Sequence, residues 1–260
     1  DPYTNVALRG RQPGSSFKPF VYAQAFRNGY DGNTTVIDEK KNFGSQSNPY
    51  IPRNYDGRFR GEVTLRKSLA QSLNVPAVKV LDEMAGLPES INLARKFGIT
   101  TLTKDPWYYG LPLVLGGGEV KLVELTSAYG VFATGGLKSP VSYISKIEDS
   151  SGNVIMKNNS TPRRVLESSV AKEITSILSD NEARTPMFGS NSVLHFPNNK
   201  VAAKTGSTQN YRDGWTMGYT SDVVVGVWAG NNNNQPMINA PGSSVAGPAW
   251  RFLIQESIKN

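Results

Sequence analysis

The 260-residue chain contains no cysteine. That excludes disulfides, thiol nucleophiles, thiolate zinc sites and iron–sulfur ligation, and is compatible with an oxidising extracytoplasmic space. Histidine occurs once, as His195 in a loop-like stretch near Pro197. A multi-histidine metal site is therefore excluded, and His195 reads as a surface or packing residue. No apolar run is long enough to cross a bilayer, and no signal peptide opens the chain. The sequence starts at Asp1 without Met and reads as a piece of a longer protein, so that any anchor lies outside it. There is no Lys/Arg block of the kind that makes a nucleic-acid tail, and no internal repeat. Neither a cofactor nor a metal is expected, and nucleic acid is not an expected partner.

What is present describes a folded globular protein. Hydrophobic residues make up 38% and charged residues 19%, a balance that disordered chains do not have. The length allows one large domain or two small lobes around a sizeable core. A net charge of +7 is a basic surface excess that anionic polymers and membrane surfaces would tolerate.

Periodicity and breakers suggest the organisation. A helix is expected from Ser15 through Pro19 towards Phe26, Pro19 suiting a first turn. Residues 29–62 are rich in Gly, Asn, Asp and Pro and read as a long irregular connection. Thr64 to Ser72 reads as a short helix, interrupted at Asn74-Val75-Pro76, with a second helix to about Ala85 and a third over 88–97. Gly116-Gly117-Gly118 precedes a helical segment from Val120 to Thr134, ended by Gly135-Gly136. A hairpin is expected at 142–157, one helix over 168–183, strands near 199–204, 214–220 and 223–230, and a last helix near 247–258. The pattern is α+β, one domain over 1–260 with a helical lobe at about 62–140 and a sheet-associated lobe from the remainder.

With no thiol and one histidine, the common remaining covalent chemistry is a serine activated by lysine. Two Ser-x-x-Lys motifs occur, Ser15-Ser16-Phe17-Lys18 and Ser169-Val170-Ala171-Lys172. The second is followed by Ser179-Asp180-Asn181 and by Lys204-Thr205-Gly206, the literal triplet of penicillin-recognising serine enzymes. Ser169 and Ser179 fall on one expected helix, however, where ten residues span about 15 Å, too far to share one reacting carbonyl. The first motif avoids that separation. Ser15 and Lys18 lie one turn apart, Ser72-Leu73-Asn74 sits at a helix break, and Lys204-Thr205-Gly206 ends a strand-like run. Ser-x-Asn alone is weak, since Ser90-Ile91-Asn92 and Ser151-Gly152-Asn153 also match.

Gly10-Arg11-Gln12-Pro13-Gly14-Ser15-Ser16-Phe17-Lys18-Pro19-Phe20 resembles the nucleophile segment of class A penicillin-binding proteins. Ser68 to Ala77 resembles their second motif. Leu115 to Val120 and Thr126-Ser127-Ala128-Tyr129 resemble a helical-lobe landmark, and Lys204 to Thr208 with Tyr211-Arg212-Asp213-Gly214-Trp215 and Gly218-Tyr219-Thr220 resembles the third motif. The similarity covers roughly residues 9 to 255. It implies a β-lactamase/transpeptidase-like fold, an antiparallel sheet flanked by helices plus a mostly helical lobe. The implied activity is a peptidoglycan D,D-transpeptidase acting on stem peptides ending in D-Ala-D-Ala and inhibited by β-lactams. The implied setting is the extracytoplasmic face of the bacterial membrane, with a glycosyltransferase domain and membrane anchor outside this chain. Ser207 stands where Thr is commoner, which keeps the hydroxyl. The family's domain begins with strands upstream of the nucleophile, whereas 14 residues precede Ser15 here, so the sheet is expected to lack those strands or to be completed from outside.

The resemblance implies a role for each motif residue. Ser15 is the nucleophile, Lys18 the proton acceptor, and Ser72 the relay to the leaving amine. Asn74 holds Lys18 and the substrate backbone, and Lys204 sets the electrostatics. Thr205, Gly206, Ser207 and Thr208 bind substrate, with the N–H groups of Ser15 and Ser207 as oxyanion hole. Taken singly, Ser15 could be a helix cap, the lysines surface charges, Ser72-Leu73-Asn74 a helix stop and the glycine run a hinge. Trp107, Tyr108 and Tyr109 could line a peptide cleft or pack under a loop, while Trp215 and Trp228 read as core. A β-lactamase or β-lactam sensor on the same fold, or a silent cell-wall binding module, are the alternatives. The first needs a deacylating carboxylate, for which Glu119, after the glycines, is the residue to watch, Glu89 being a weaker lookalike on an ordinary amphipathic helix.

Overall fold

A computed structural model of the chain describes residues 5–198 and 200–259. The first residue of the strand expected at 199–204 lies outside the described residues. Gly14–Phe17 forms a 3-10 turn, rather than the start of an α-helix, and runs into α1, Lys18–Arg27. Every side chain of α1 from Lys18 to Phe26 is buried, which places this helix in the centre of the molecule. Phe20 packs there against Phe97, Tyr129 and Phe132 at ring-centroid distances of 5.6, 5.9 and 5.7 Å. Burying one such ring stabilises the fold by about 2 kcal/mol.

The segment expected to be irregular contains a β-pair. β2, Thr35–Asp38, runs antiparallel to β3, Gly61–Thr64, with Val36 opposite Val63. Two four-residue strands, with little more than the two valines buried among glycines and asparagines, carry too little alternation to read. Ahead of them β1, Gly10–Arg11, pairs with β4, Val120–Lys121. The helical stretch contains α2 (Leu65–Ala70), α3 (Asn74–Lys79), α4 (Leu87–Lys96), α5 (Pro106–Tyr109) and α6 (Leu122–Ala133). Thr64 caps α2 by accepting from the Lys67 N–H, and α3 passes into a π turn, Val80–Ala85, before Gly86.

β5 (Leu137–Lys138) pairs with β8 (Arg163–Arg164), and between them β6 (Lys146–Glu148) and β7 (Val154–Lys157) make the expected hairpin, exposed throughout. The single helix expected over 168–183 is two, α7 (Ser168–Leu178) and α8 (Asn181–Phe188). Asp180 breaks it, adopting an extended backbone and accepting from the Ala183 N–H as a helix cap.

β9 (Ala202–Ser207), β10 (Asp213–Tyr219) and β11 (Val224–Gly230) form an antiparallel sheet in the order β11-β10-β9. Lys204-Thr205-Gly206 lies inside β9 rather than at its end, because pairing continues to Ser207 opposite Gly214. Trp215, Met217 and Tyr219 alternate towards the main core. Ala203, Val225 and Val227 face a second cluster with Trp250 and Ile254, which belong to α10, Gly247–Lys259, preceded by α9, Gly242–Val245. Trp215 is fully buried as expected, whereas Trp228 is half-buried, with the Arg11 guanidinium 5.1 Å from its ring centre.

Candidate active site

The carbonyls of the turn that carries Ser15 accept from two side chains that reach it from other elements and from one of its own. Trp215 Nε1 donates to the Gln12 carbonyl at 2.8 Å, Tyr129 Oη to that of Ser16 at 2.7 Å, and Ser16 Oγ to that of Pro13 at 2.6 Å. Gly14 has φ +55°, and a Cβ there would lie 2.6 Å from the Ser207 carbonyl oxygen. On its other side the Gly116 backbone (φ +91°) abuts Gly14, a Cβ at 116 falling 2.5 Å from Gly14 Cα. No side chain fits in either place.

Ser15 opens onto a cleft of about 740 Å³, and Ser72, Asn74, Thr205, Ser207 and Thr208 line it too. One wall is Tyr50, Pro52 and Tyr55; another is Leu115 and Gly116; Met187 and Phe188 of α8 form a third. Lys18, three residues after Ser15 at the start of α1, is fully buried. Its Nζ lies 2.7 Å from the Ser72 carbonyl, 3.0 Å from the Leu73 carbonyl, 2.8 Å from Asn74 Oδ1 and 3.4 Å from Ser72 Oγ; the ammonium can serve three of these acceptors and the neutral amine two. From β9, Lys204 Nζ donates to the same Ser72 Oγ at 2.7 Å and to the Thr205 carbonyl at 2.9 Å. Two buried amines thus bracket one hydroxyl. Burial pushes Lys18 well below the ordinary lysine range, and the charge of Lys204 lowers it further. Lys204 is pushed down to about 7 by burial and then by the Arg184 guanidinium.

Ser72 takes a left-handed backbone, φ +60°, between α2 and α3, which aims its side chain at both amines. The sequence reading missed the support of this loop. Asn54 Oδ1 accepts from the Asn74 N–H at 2.7 Å, and Asn54 is itself held by Asp38. Both are buried, and the turn-like stretch Asn54-Tyr55-Asp56-Gly57 hid one of them.

The substrate-binding expectations separate. Thr205 and Ser207 line the cleft, Ser207 Oγ also accepting from the Gly242 N–H at 2.9 Å. Thr208 lines it with a hydroxyl engaged by Asp213, accepting from its N–H at 2.9 Å. Gly206 does not line it: the side where a side chain would stand faces the Pro13 carbonyl and Ser16. Its bare Cα lets β9 approach the turn that carries Ser15.

The second Ser-x-x-Lys set is not assembled. Ser169 and Lys172 lie on α7, and Ser179, the residue after its last turn, donates its hydroxyl back to the Thr175 carbonyl at 2.8 Å. Asp180 is paired with Arg66 at 3.2 Å. Trp107 and Tyr108 are exposed and do not line the cleft, and neither does His195. Among the described residues no Asp or Glu lines it. Glu119 instead sets its carboxylate beside Gly10, 2.9 Å from where a Cβ there would lie. No group of His, Asp or Glu among the described residues could hold a metal ion.

A helical core against an antiparallel sheet, with a serine at the seam between them, defines the penicillin-recognising serine enzyme fold. The chain belongs to the penicillin-binding protein transpeptidase domain family, whose model matches residues 2–255. Within that family it is of the class A kind. It is 34% identical over 243 residues to penicillin-binding protein 1A of Aquifex aeolicus, covering 92% of this chain and 32% of the relative. It is 28% identical over 267 residues to penicillin-binding protein 2D of Bacillus subtilis, covering 99% of this chain and 37% of that protein. The chain thus spans about a third of the length of these relatives. Penicillin-binding protein 1A from Haemophilus influenzae superposes over 100% of this chain and 44% of its own, with TM-score 0.87 and 22% identity. PonA1 from Mycobacterium tuberculosis, solved in complex with penicillin V, superposes over 99% of this chain and 72% of its own, with TM-score 0.85 and 23% identity.

Proposed function

We propose that this domain is a peptidoglycan D,D-transpeptidase that cross-links stem peptides ending in D-Ala-D-Ala through an acyl-enzyme on Ser15. The observation that carries the reading is the Lys18–Ser72–Lys204 chain beneath a cleft serine. Ser15 Oγ attacks the penultimate D-Ala carbonyl, and neutral Lys18 takes its proton. The N–H groups of Ser15 and Ser207 receive the oxyanion. Ser72, fed by Lys204, passes a proton to the departing D-Ala amine, and the amine of a second stem peptide then attacks the ester and releases Ser15. Asn74 orients Lys18, and Thr205 and Ser207 bind the terminal carboxylate. The setting is the outer face of the cytoplasmic membrane, within a longer protein that carries a glycosyltransferase domain and an anchor.

A β-lactamase needs a base to activate the deacylating water, and the carboxylate-free cleft disfavours that alternative. The test is intact-protein mass spectrometry with benzylpenicillin, followed by a D-Ala-D-Ala donor with an acceptor amine. A mass increase of one drug molecule on Ser15 and formation of a cross-linked product support the reading. Labelling elsewhere, or none, overturns it.

A further inference from the structure

The loop that presents Ser72 and Asn74 has no cap of its own. Leu73, at the N-cap of α3, carries no side chain that can accept from the first-turn N–H groups. Asn54, twenty residues upstream, performs that function, its Oδ1 accepting from Asn74 N at 2.7 Å and from Val75 N at 3.4 Å. Arg53, beside it, accepts the Asn74 Nδ2–H on its carbonyl at 2.7 Å. The two residues grip Asn74 from backbone and side chain together. Since Asn74 Nδ2 is committed to Arg53, Oδ1 must be the atom that faces Lys18.

Asn54 could turn its own amide either way, and Asp38 at the end of β2 decides. Both carboxylate oxygens of Asp38 accept from Asn54 Nδ2, at 2.9 and 2.7 Å, so Oδ1 is left to point at α3. Asp38 is fixed in turn by the Arg60 N–H at 3.0 Å, and Asn54 Nδ2 also reaches the Arg58 carbonyl at 2.8 Å. Asp38 is 1% and Asn54 4% exposed, so neither side chain touches the cleft space directly. A surface turn would not require a buried carboxylate to orient a buried amide.

We infer that Asp38 and Asn54 are positioning residues for the acylation chemistry: they fix the Ser72–Asn74 loop, and through Asn74 the Lys18 amine, in the arrangement that serves Ser15. The inference rests on the function proposed above. The charge that acts on Lys18 is Lys204 of β9, with Arg184 of α8 behind it, while Asp38 stands at the far end of the hydrogen-bond relay through Asn54 and Asn74. Loss of the grip opens the loop, admits water to Lys18 and relieves the burial that keeps its affinity for protons low. The base then becomes neutral only at higher pH.

The experiment measures the second-order rate of Ser15 acylation by a fluorescent penicillin between pH 5 and 10, beside thermal melting, for the parent, Asn54→Ala, Asp38→Asn and the reciprocal double variant Asp38→Asn/Asn54→Asp. In the double variant an amide at 38 can again donate to a carboxylate at 54, which can still accept from Asn74 N–H, but the Arg58 carbonyl loses its donor, so the recovery is partial. The single variants should lose roughly ten- to a hundredfold in rate, with the acid limb of the profile moved to higher pH. The double variant should recover at least several-fold and move the limb back. Folded single variants with the parent's rate and profile overturn the inference, as does a loss that leaves the profile's shape untouched and is not recovered by the double variant. Should the single variants not fold, a folded double variant with the parent's profile supports the relay, and one with a displaced profile overturns it. Failure of the parent to label at Ser15 overturns the proposed function instead, and so is distinguishable.

Discussion

The hydroxyl of Ser72 accepts from Lys204 at 2.7 Å, across 132 residues of sequence, with Lys18 Nζ 3.4 Å away on its other side. On the proposed function, one hydroxyl between two buried amines is the proton path, and the site built on it sets which variants should fail and how.

Ser15→Ala should abolish labelling by a fluorescent penicillin, whereas Ser169→Ala should label at the parent's rate. Ser169 lies on α7 and does not line the cleft. Loss of labelling in the Ser169 variant alone would refute the choice of motif.

The adduct on Ser15 should persist for many minutes with negligible consumption of drug. Among the described residues no carboxylate lines the cleft, so none is placed to activate a deacylating water. Absorbance should show a stoichiometric burst and then a flat line. Glu119→Gln should leave both phases unchanged, since that carboxylate lies beside Gly10. Sustained turnover, abolished in the Glu119 variant, would favour the β-lactamase alternative.

Stability should rise with pH from about 7 towards 10, and the rise should shrink in Lys204→Met. The pKa of Lys204 is near 7 when folded, against an ordinary 10.5. Between those values the unfolded chain binds the additional proton, so the slope of stability with pH is positive. Lys18 adds in the same direction. The buried tyrosines Tyr22 and Tyr219, both raised, act oppositely only above about 10, where unfolded tyrosines ionise. Melting temperatures measured across this range provide the check; an identical slope in Lys204→Met would remove this lysine from the account.

β11 ends the described sheet, with only β10 hydrogen-bonded to it. Its run Val224 to Trp228 is apolar and rich in valine, an association hazard where its outer edge is open. Residues 1–260 expressed alone should be less soluble, or melt lower, than a form extended upstream. Equal melting temperatures and equal monodispersity would count against this.

The sequence made visible what depends on local chemistry and motif order. Ser15, Ser72 and Asn74 line one cleft, with Lys18 and Lys204 on the Ser72 hydroxyl behind it, and the long helices and three strands lie close to where their periodicity put them. What stayed hidden depends on partners distant in sequence. Val36 finds Val63 only once the chain has folded back, and Asp38 and Asn54 look like ordinary turn residues until α3 arrives without a cap. The break at Asp180 was missed because an apolar period passes smoothly through it, while the side chain caps the next helix. The place of Gly206 was not legible either: a motif gives membership of a site but not the side of the strand a residue serves, and the side-chain face of Gly206 is turned to Pro13 and Ser16.

The clamp around Gly14 has a further consequence. With the Ser207 backbone on one side and Gly116 on the other, the nucleophile turn has no slack, so it is the fixed anvil of the site. The ligand must then do the bending. A flexible peptide loses conformational freedom to bring its carbonyl to an attack point that does not move, whereas a fused-ring drug arrives already folded and loses much less. On the proposed function, the rigidity that would make the serine accurate towards its peptide would therefore also favour a stiff impostor, and loosening the turn to reject the impostor would blunt the attack on the peptide as well.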